Sequence, residues 1–325
     1  MIPRVYLEVT SQCNYRCVYC PHPTMQRPKQ HIEWELATEA LRQIRDGRIG
    51  ERVWLNYLGE PLLYPPLFDL AQYATTLGLS THVITNGSLL TAAMVERIAR
   101  STLSTIKVSH DSTFGDSAAA HGAPRFPPAS ILEGIGRLIS AVEGTGKRVV
   151  VILMTTAPGF PGGIEGLELI STRQALRDEL AAVLDEAGRH LRLPAHDHVW
   201  AKLDALSWHT WNADLVISDT LAIEVRPALN WGNALTTRHV ELATHGTCNA
   251  LVEKVAVLVN GDVVPCCVDS EGALVLGNVR ERPLVEILAS ARARALRQGF
   301  AEGRVVEPFC QRCLGRVTPQ QPAQH

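Results

Sequence analysis

The chain has 325 residues, a formal net charge of -2, 46% hydrophobic and 20% charged residues. That is enough apolar material for one large core and a smaller domain, and no segment approaches the ~20 apolar residues that a bilayer span requires. Aromatics make up 6% of the chain and no basic stripe interleaves with them, so neither nucleic acid nor a membrane is an expected partner.

From the N-terminus, short β-branched runs alternate with amphipathic ones. Strands are predicted at Arg4–Thr10, Arg52–Tyr57, Leu79–Thr85, Ser104–Ser109, Arg148–Thr155 and Leu221–Arg226. Helices are predicted at Trp34–Asp46, Leu67–Leu77, Thr91–Arg100 and Pro128–Val142. This alternation implies an α/β fold, a partial (β/α)6 TIM-like barrel over residues 1–227 whose chemistry gathers at the C-terminal ends of the strands. The segment 158–219 reads as an extra, lid-like insertion. It opens on PGFPGG, carries a helical run over Ser171–His190, and then brings His196, His198, Trp200, Trp208, His209 and Trp211. Those histidines lack metal-ligand regularity, so a lid that excludes water or a packing surface is expected there. A smaller domain over 228–317 contains a hairpin signal at Asn260-Gly261 and a helical stretch near Leu284–Gln298, and the polar tail 318–325 reads as disordered.

The eight cysteines fall in two packets: Cys13, Cys17 and Cys20, then Cys248, Cys266, Cys267, Cys310 and Cys313. A disulfide-stapled secreted module would be smaller and denser in cysteine, and no charged-then-apolar leader precedes Val5, so a cytoplasmic enzyme is expected. The run CNYRCVYC offers three thiolates on one short loop after the first strand, with only His22 nearby as a further zinc ligand. Three ligands on a four-iron cluster leave one iron open to a small molecule, which suits a chemical centre. Gly59-Glu60-Pro61, Asn86-Gly87 and Ser109-His110-Asp111-Ser112 follow the second, third and fourth strands. Singly each is ordinary turn chemistry; their recurrence at one end of successive strands places them around one mouth.

Through CNYRCVYC, LGEP at Leu58–Pro61, ITNG at Ile84–Gly87 and VSHDS at Val108–Ser112, the chain resembles the radical S-adenosylmethionine (SAM) enzymes. The resemblance implies that Cys13, Cys17 and Cys20 hold a [4Fe-4S] cluster whose fourth iron takes the amino and carboxylate groups of SAM. It also implies that Glu60 holds the SAM amine, Tyr19 flanks adenine, Ser109 and Asp111 contact ribose, and Asn86 lines the cofactor site. Leu58 stands where that family has the first glycine of its motif. The second packet resembles a SPASM/twitch extension in its shorter form, which implies an auxiliary [4Fe-4S] cluster on Cys248, Cys266, Cys310 and Cys313. Asn230-Trp231-Gly232 resembles the segment before such cysteines and is expected to pack at the junction.

Cys267 is then the cysteine left over, and adjacent residues on an extended strand face opposite ways. Facing the substrate cavity, its S–H could return hydrogen to one face of a carbon stripped on the other; alternatively it is a small buried residue. The paired cysteines resemble radical SAM epimerases. The nearest type is the neomycin C epimerase, which implies inversion of an aminosugar carbon and an external one-electron reductant. The alternatives are a dehydrogenase oxidising an aminocyclitol or aminosugar alcohol through the auxiliary cluster, with Arg226, His209 or Asp214 as base, and a peptide-residue epimerase. Glu165, Glu168, Asp197, Asp204 and Asp214 are available to meet a cationic aminosugar.

Overall fold

The computed structural model describes residues 1–114, 122, 127–156, 167, 169–206, 212–228, 233–236 and 238–317. The first half alternates as expected: β1 (Arg4–Leu7), α1 (Trp34–Asp46), β2 (Arg52–Trp54), α2 (Leu67–Thr76), β3 (Ser80–Thr85), α3 (Ala92–Arg100), β4 (Leu103–Asp111), α4 (Pro128–Val142) and β5 (Arg148–Thr155). There follow α5 (Arg173–His190), α6 (Asp197–Asp204), β6 (Ala213–Val216) and β7 (Leu221–Pro227). Strands β1, β2, β3, β4, β5 and β7 run parallel in that spatial order, the partial (β/α)6 barrel of the α/β class.

Alternation along each strand sorts the side chains. Val5, Leu7, Val53, Val83, Ile106, Val108, Val149, Val151, Ile223 and Val225 are buried in the main core with the helices. At ~1.5–3 kcal/mol for each large aliphatic side chain withdrawn from water, this two-layer contact stabilises the barrel. The alternate residues, such as Tyr6, Trp54, Lys107 and Glu224, are polar or aromatic and line the concave side. The helices carry amphipathic faces, and α3 and α5 are capped by Thr91 and Thr172, whose side chains accept from Met94 and Ala175 amides.

Two features correct the sequence reading. The helical run in the proposed lid is α5, which belongs to the barrel layer: Leu176, Leu180, Val183, Leu184 and Ala187 are buried in the core. Its Glu179 accepts from the Thr113 and Phe114 amides, 2.7 and 3.0 Å, and so anchors the turn after β4. The same segment supplies β6, an antiparallel edge strand on β7 that the sequence reading missed. Of the histidine–tryptophan group, His198 lies 3.0 Å from the Val216 carbonyl and Trp200 sits 5.4 Å from the Arg177 guanidinium, as a packing surface does. Trp208, His209 and Trp211, with Glu165 and Glu168, lie outside the described residues, as do Asn230-Trp231-Gly232 and the tail 318–325.

The sheet does not stop at residue 227. After β8 (Val240–Glu241), β9 (Lys254–Val257) pairs parallel with β1, and the hairpin to β10 (Asp262–Val264) closes at Asn260-Gly261, where Gly261 has φ +92°. β11 (Gly277–Asn278) completes a ten-stranded sheet in the order β11-β10-β9-β1-β2-β3-β4-β5-β7-β6. Helices α7 (Leu284–Leu288), α8 (Ala291–Ala301) and α9 (Pro308–Cys313) follow, and β12 (Arg316–Val317) pairs with β8.

Candidate active site

The cysteine loop leaves the C-terminal end of β1 and is fastened at its entry. Ser11 donates to the Pro28 carbonyl, 3.1 Å, and the Glu60 amide donates to the Gln12 carbonyl, 2.8 Å. A Cβ on Gly59 would stand 2.2 Å from the Thr10 carbonyl oxygen, so the turn requires glycine there. The preceding position imposes no such limit. Leu58 is buried and its amide donates to Glu8.

Glu60 is buried, and its carboxylate accepts from the Leu62 amide at 3.0 Å, the Thr85 hydroxyl at 2.7 Å and the Asn86 amide at 2.8 Å. All three donors are neutral, and burial pushes its pKa up to about 7. A carboxylate this far desolvated is suited to a bound ammonium, which would return it to the ionised form. Asn86 closes a short network: its amide group donates to the Asn14 side chain at 2.9 Å, and Asn14 donates to the Ser88 hydroxyl at 2.8 Å. The following Gly87 has φ +77°, and a Cβ there would lie 2.7 Å from Ile131.

At the end of β4, a register shift between Ser109 and Asp111 turns the strand, and Asp111 adopts φ +62°. Its carboxylate accepts from the Tyr19 hydroxyl, which ties the last turn of the cysteine loop to β4. The Tyr19 ring packs with Met154, Leu167, Leu169 and Ala228. Ser109 stays half-buried beside Asp111 in the register with Ile152. Tyr15, which sequence reasoning passed over, is buried among Cys17, Glu60 and Asp111 and raised well above its ordinary pKa, first by burial. The visible signal was an aromatic residue inside the cysteine loop.

The structure therefore brings Cys13, Cys17, Cys20, Tyr19, Glu60, Asn86 and Asp111 to one mouth. The thiols of Cys13 and Cys17 each feel the charge of Cys20, and burial pushes Cys13 up to about 11. The second packet also converges: Cys310 feels Cys266, Cys248 and Cys313. Among the described residues no three Cys, His, Asp or Glu side chains stand at single-ion distances. Thiolates of an iron–sulfur cluster bind separate irons, so sulfur donors spaced more widely than the ligands of a single ion fit that group.

β10 ends at Val264, so Cys266 and Cys267 lie in the bend and turn after it and not on the extended strand that the sequence suggested. Cys266 is buried with the core and Cys267 is half-buried; both act electrostatically on Tyr57, and Cys267 also acts on Tyr6 and on Cys313. Tyr6 and Tyr57 pack with Ala256, Leu258 and Val264. Two contacts tie this segment to the first site. The Tyr57 hydroxyl lies 2.9 Å from the carbonyls of both Cys266 and Asp269. Arg27, just beyond the cysteine loop, pairs with the buried Glu8 through both terminal nitrogens and donates from Nε to the Ser270 carbonyl at 2.6 Å. Neither residue was legible as functional from spacing.

Asp214 and Arg226, both considered for substrate or base roles, pair with each other, and Arg226 also meets Glu224 at 3.3 Å. Asp204 pairs with Arg177. These residues are occupied in surface and barrel-wall ion pairs.

A cysteine loop over a barrel mouth with a second cysteine set beside it defines a SAM-dependent iron–sulfur enzyme. The profile of the Radical SAM superfamily matches residues 7–163, and that of SPASM, an iron-sulfur cluster-binding domain, matches 248–314. The chain belongs to the radical SAM superfamily, whose two domains carry a SAM-binding and an auxiliary [4Fe-4S] cluster. It is 24% identical over 331 residues to the tungsten-containing aldehyde ferredoxin oxidoreductase cofactor-modifying protein of Pyrococcus furiosus, covering 95% of this chain and 86% of that one. To the AdoMet-dependent heme synthase of Methanosarcina barkeri it is 32% identical over 124 residues, 38% of this chain and 34% of that relative. Among solved structures it resembles Streptococcus suis SuiB bound to S-adenosylmethionine, with TM-score 0.60, 14% identity, and 92% and 68% of the two chains covered. It also resembles BtrN in complex with AdoMet and 2-DOIA, with TM-score 0.51, 16% identity, and 93% and 88% covered. At these identities the structural likeness concerns the fold.

Proposed function

We propose that the protein is a cytoplasmic radical SAM epimerase that inverts a carbon of an aminosugar, of the neomycin C to neomycin B type, using an external one-electron reductant. The observation that supports this reading is the difference in burial of the two adjacent cysteines: Cys266 is buried among the auxiliary set, while Cys267 is half-buried, within electrostatic reach of both Cys313 and the barrel-lining Tyr6. In this reading Cys13, Cys17 and Cys20 hold the first cluster, Cys248, Cys266, Cys310 and Cys313 hold the second, and Glu60 receives the SAM ammonium. Tyr19 and Asp111, already bonded to each other, flank the nucleoside, with Ser109 and Asn86 at its edge.

Bound SAM, once reduced by one electron, supplies a 5′-deoxyadenosyl radical that removes one hydrogen atom from a carbon. Cys267 then gives its S–H hydrogen to the opposite face, forming the inverted C–H bond. The sulfur radical left on Cys267 would need one electron from the external reductant and one proton from solvent to restore the thiol, and a cluster held by Cys248, Cys266, Cys310 and Cys313 would be placed to relay that electron.

The test is turnover of reconstituted enzyme with an aminoglycoside in deuterated water. One deuterium in the inverted product supports the reading when Cys267→Ala abolishes it and deoxyadenosine still forms. A product oxidised by two electrons from the unaltered enzyme would reject it in favour of dehydrogenation.

A further inference from the structure

At the end of the barrel opposite the cysteine loops, a cavity of about 440 Å³ opens between the N-terminal ends of the strands. Four cations face it, Arg4 from β1, Arg52 from β2, Lys107 from β4 and Arg148 from β5, against two carboxylates, Asp214 and Glu224. Both carboxylates are already neutralised. Lys107 pairs with Glu224 at 2.5 Å, and Arg226 pairs with Asp214 and with Glu224. Arg4 bonds the Tyr6 hydroxyl. Among the described residues, Arg52 and Arg148 share the cavity with no ion pair or side-chain hydrogen bond. Two guanidiniums facing one cavity repel each other unless an anion lies between them, and their planar forks match the oxygens of a phosphoryl group.

The surroundings agree. Lys107 lies 5.2 Å from the centre of the Trp54 ring, whose other neighbour is His82, stacked at 4.9 Å. Burial, with Arg52 and Lys107 beside it, lowers His82 to about 4, so this ring is neutral at physiological pH and adds no repulsion of its own. The excess charge is thus concentrated on the arginine forks, in a concave site that focuses the field. With Trp54 occupied by His82 and Lys107, no aromatic face is offered for a base, which favours an anion without a stacking nucleobase.

We propose that this barrel-floor cavity binds a phosphate-class oxyanion, free or as a phosphate ester, between Arg52 and Arg148, remote from the SAM mouth and independent of the epimerase reading. Calorimetric titration of the reconstituted full chain with inorganic diphosphate, at ionic strength held constant with sodium chloride, should show one saturable site. Affinity should fall at least tenfold in Arg52→Gln/Arg148→Gln, and stay unchanged in Arg100→Gln, which removes an exposed arginine at the end of α3, away from the cavity. Should the double variant fail to fold, Arg52→Lys serves alone: it keeps the charge, loses the fork, and should weaken binding while the melting temperature holds. A parallel titration with glucose 6-phosphate identifies the source, tighter binding pointing to an ester and weaker binding to the free anion. Absence of saturable heat, equal affinity in the folded double variant or Arg52→Lys, or an equal loss in Arg100→Gln would overturn the proposal.

Discussion

The two cysteine packets reach similar chemistry by different routes. The first is contained in eight residues, and its geometry is settled by contacts that arise as soon as β1, β2, β3 and β4 align: the Glu60 amide on Gln12, Asn86 on Asn14, and Tyr19 on Asp111. The second draws on residues from Cys248 to Cys313 and exists only after the β9–β10 hairpin has joined β1 and α9 has returned. A locally encoded site tolerates distant change; a site assembled from separated elements depends on what holds those elements together. Arg27 and Tyr57 are that link, since each spans from the first region to the segment after Cys266.

The largest expected effect comes from the first packet itself. Cys13→Ala should abolish deoxyadenosine formation and lower iron content by about half while the melting temperature changes little, because the thiol is not part of the main core. Iron analysis and product chromatography check this, and a wholesale loss of folding would mean that the first region is as contingent as the second.

Arg27→Ala should come next and fall on stability. It leaves the buried Glu8 carboxylate without its cation, a change that costs ~3–5 kcal/mol for a buried pair broken on one side. Denaturant titration measures the loss. Glu8→Gln in the same background should restore part of it, which a merely spatial role for Arg27 would not allow.

A smaller effect concerns pH. The Glu60 pKa is raised to about 7 from 4.5, so the folded chain holds that proton more tightly than the unfolded one. Its contribution to the stability of the SAM-free protein is therefore fully present below about 4.5 and declines as pH rises toward 7. Binding of the SAM ammonium runs the other way and should strengthen as the carboxyl ionises, by up to about tenfold per pH unit below 7. Glu60→Gln should flatten this profile; an unchanged pH dependence of SAM affinity would remove Glu60 from the amine site.

The mildest change is Tyr57→Phe, which deletes the hydroxyl shared by the Cys266 and Asp269 carbonyls at an expected ~1–2 kcal/mol. In the holoenzyme, where the proposed ligands are bound, Cys267 should be the thiol open to alkylation, and its modification rate should rise in this variant while iron content holds. An unaltered rate would show that Tyr57 does not set the position of that segment.

Much of this was legible in the sequence, for reasons that particular residues make plain. Parallel strands buried on one face by helices leave β-branched runs, and the turns after them leave Gly-Glu-Pro and Asn-Gly, so the barrel and the positions of Glu60 and Asn86 could be read directly. The helix Arg173–His190 was equally visible, but periodicity says only that one face is apolar; whether that face covers a mouth or a barrel wall depends on what it meets. Strand β6 is only four residues long, and its alternation of buried Ala213 and Leu215 with exposed Asp214 and Val216 is masked in the sequence because the exposed Val216 is itself apolar.

By itself the sequence determined the composition of each site, because thiolates, a buried carboxylate and obligatory glycines are chemical identities that no rearrangement supplies. Tertiary structure decided which of those groups meet. It joined β9 to β1, buried Cys266 while leaving Cys267 half-buried, and placed Arg52 and Arg148 across one cavity. Such meetings depend on strand pairing and on the side to which each residue turns, and neither quantity is carried by a residue type or its spacing alone.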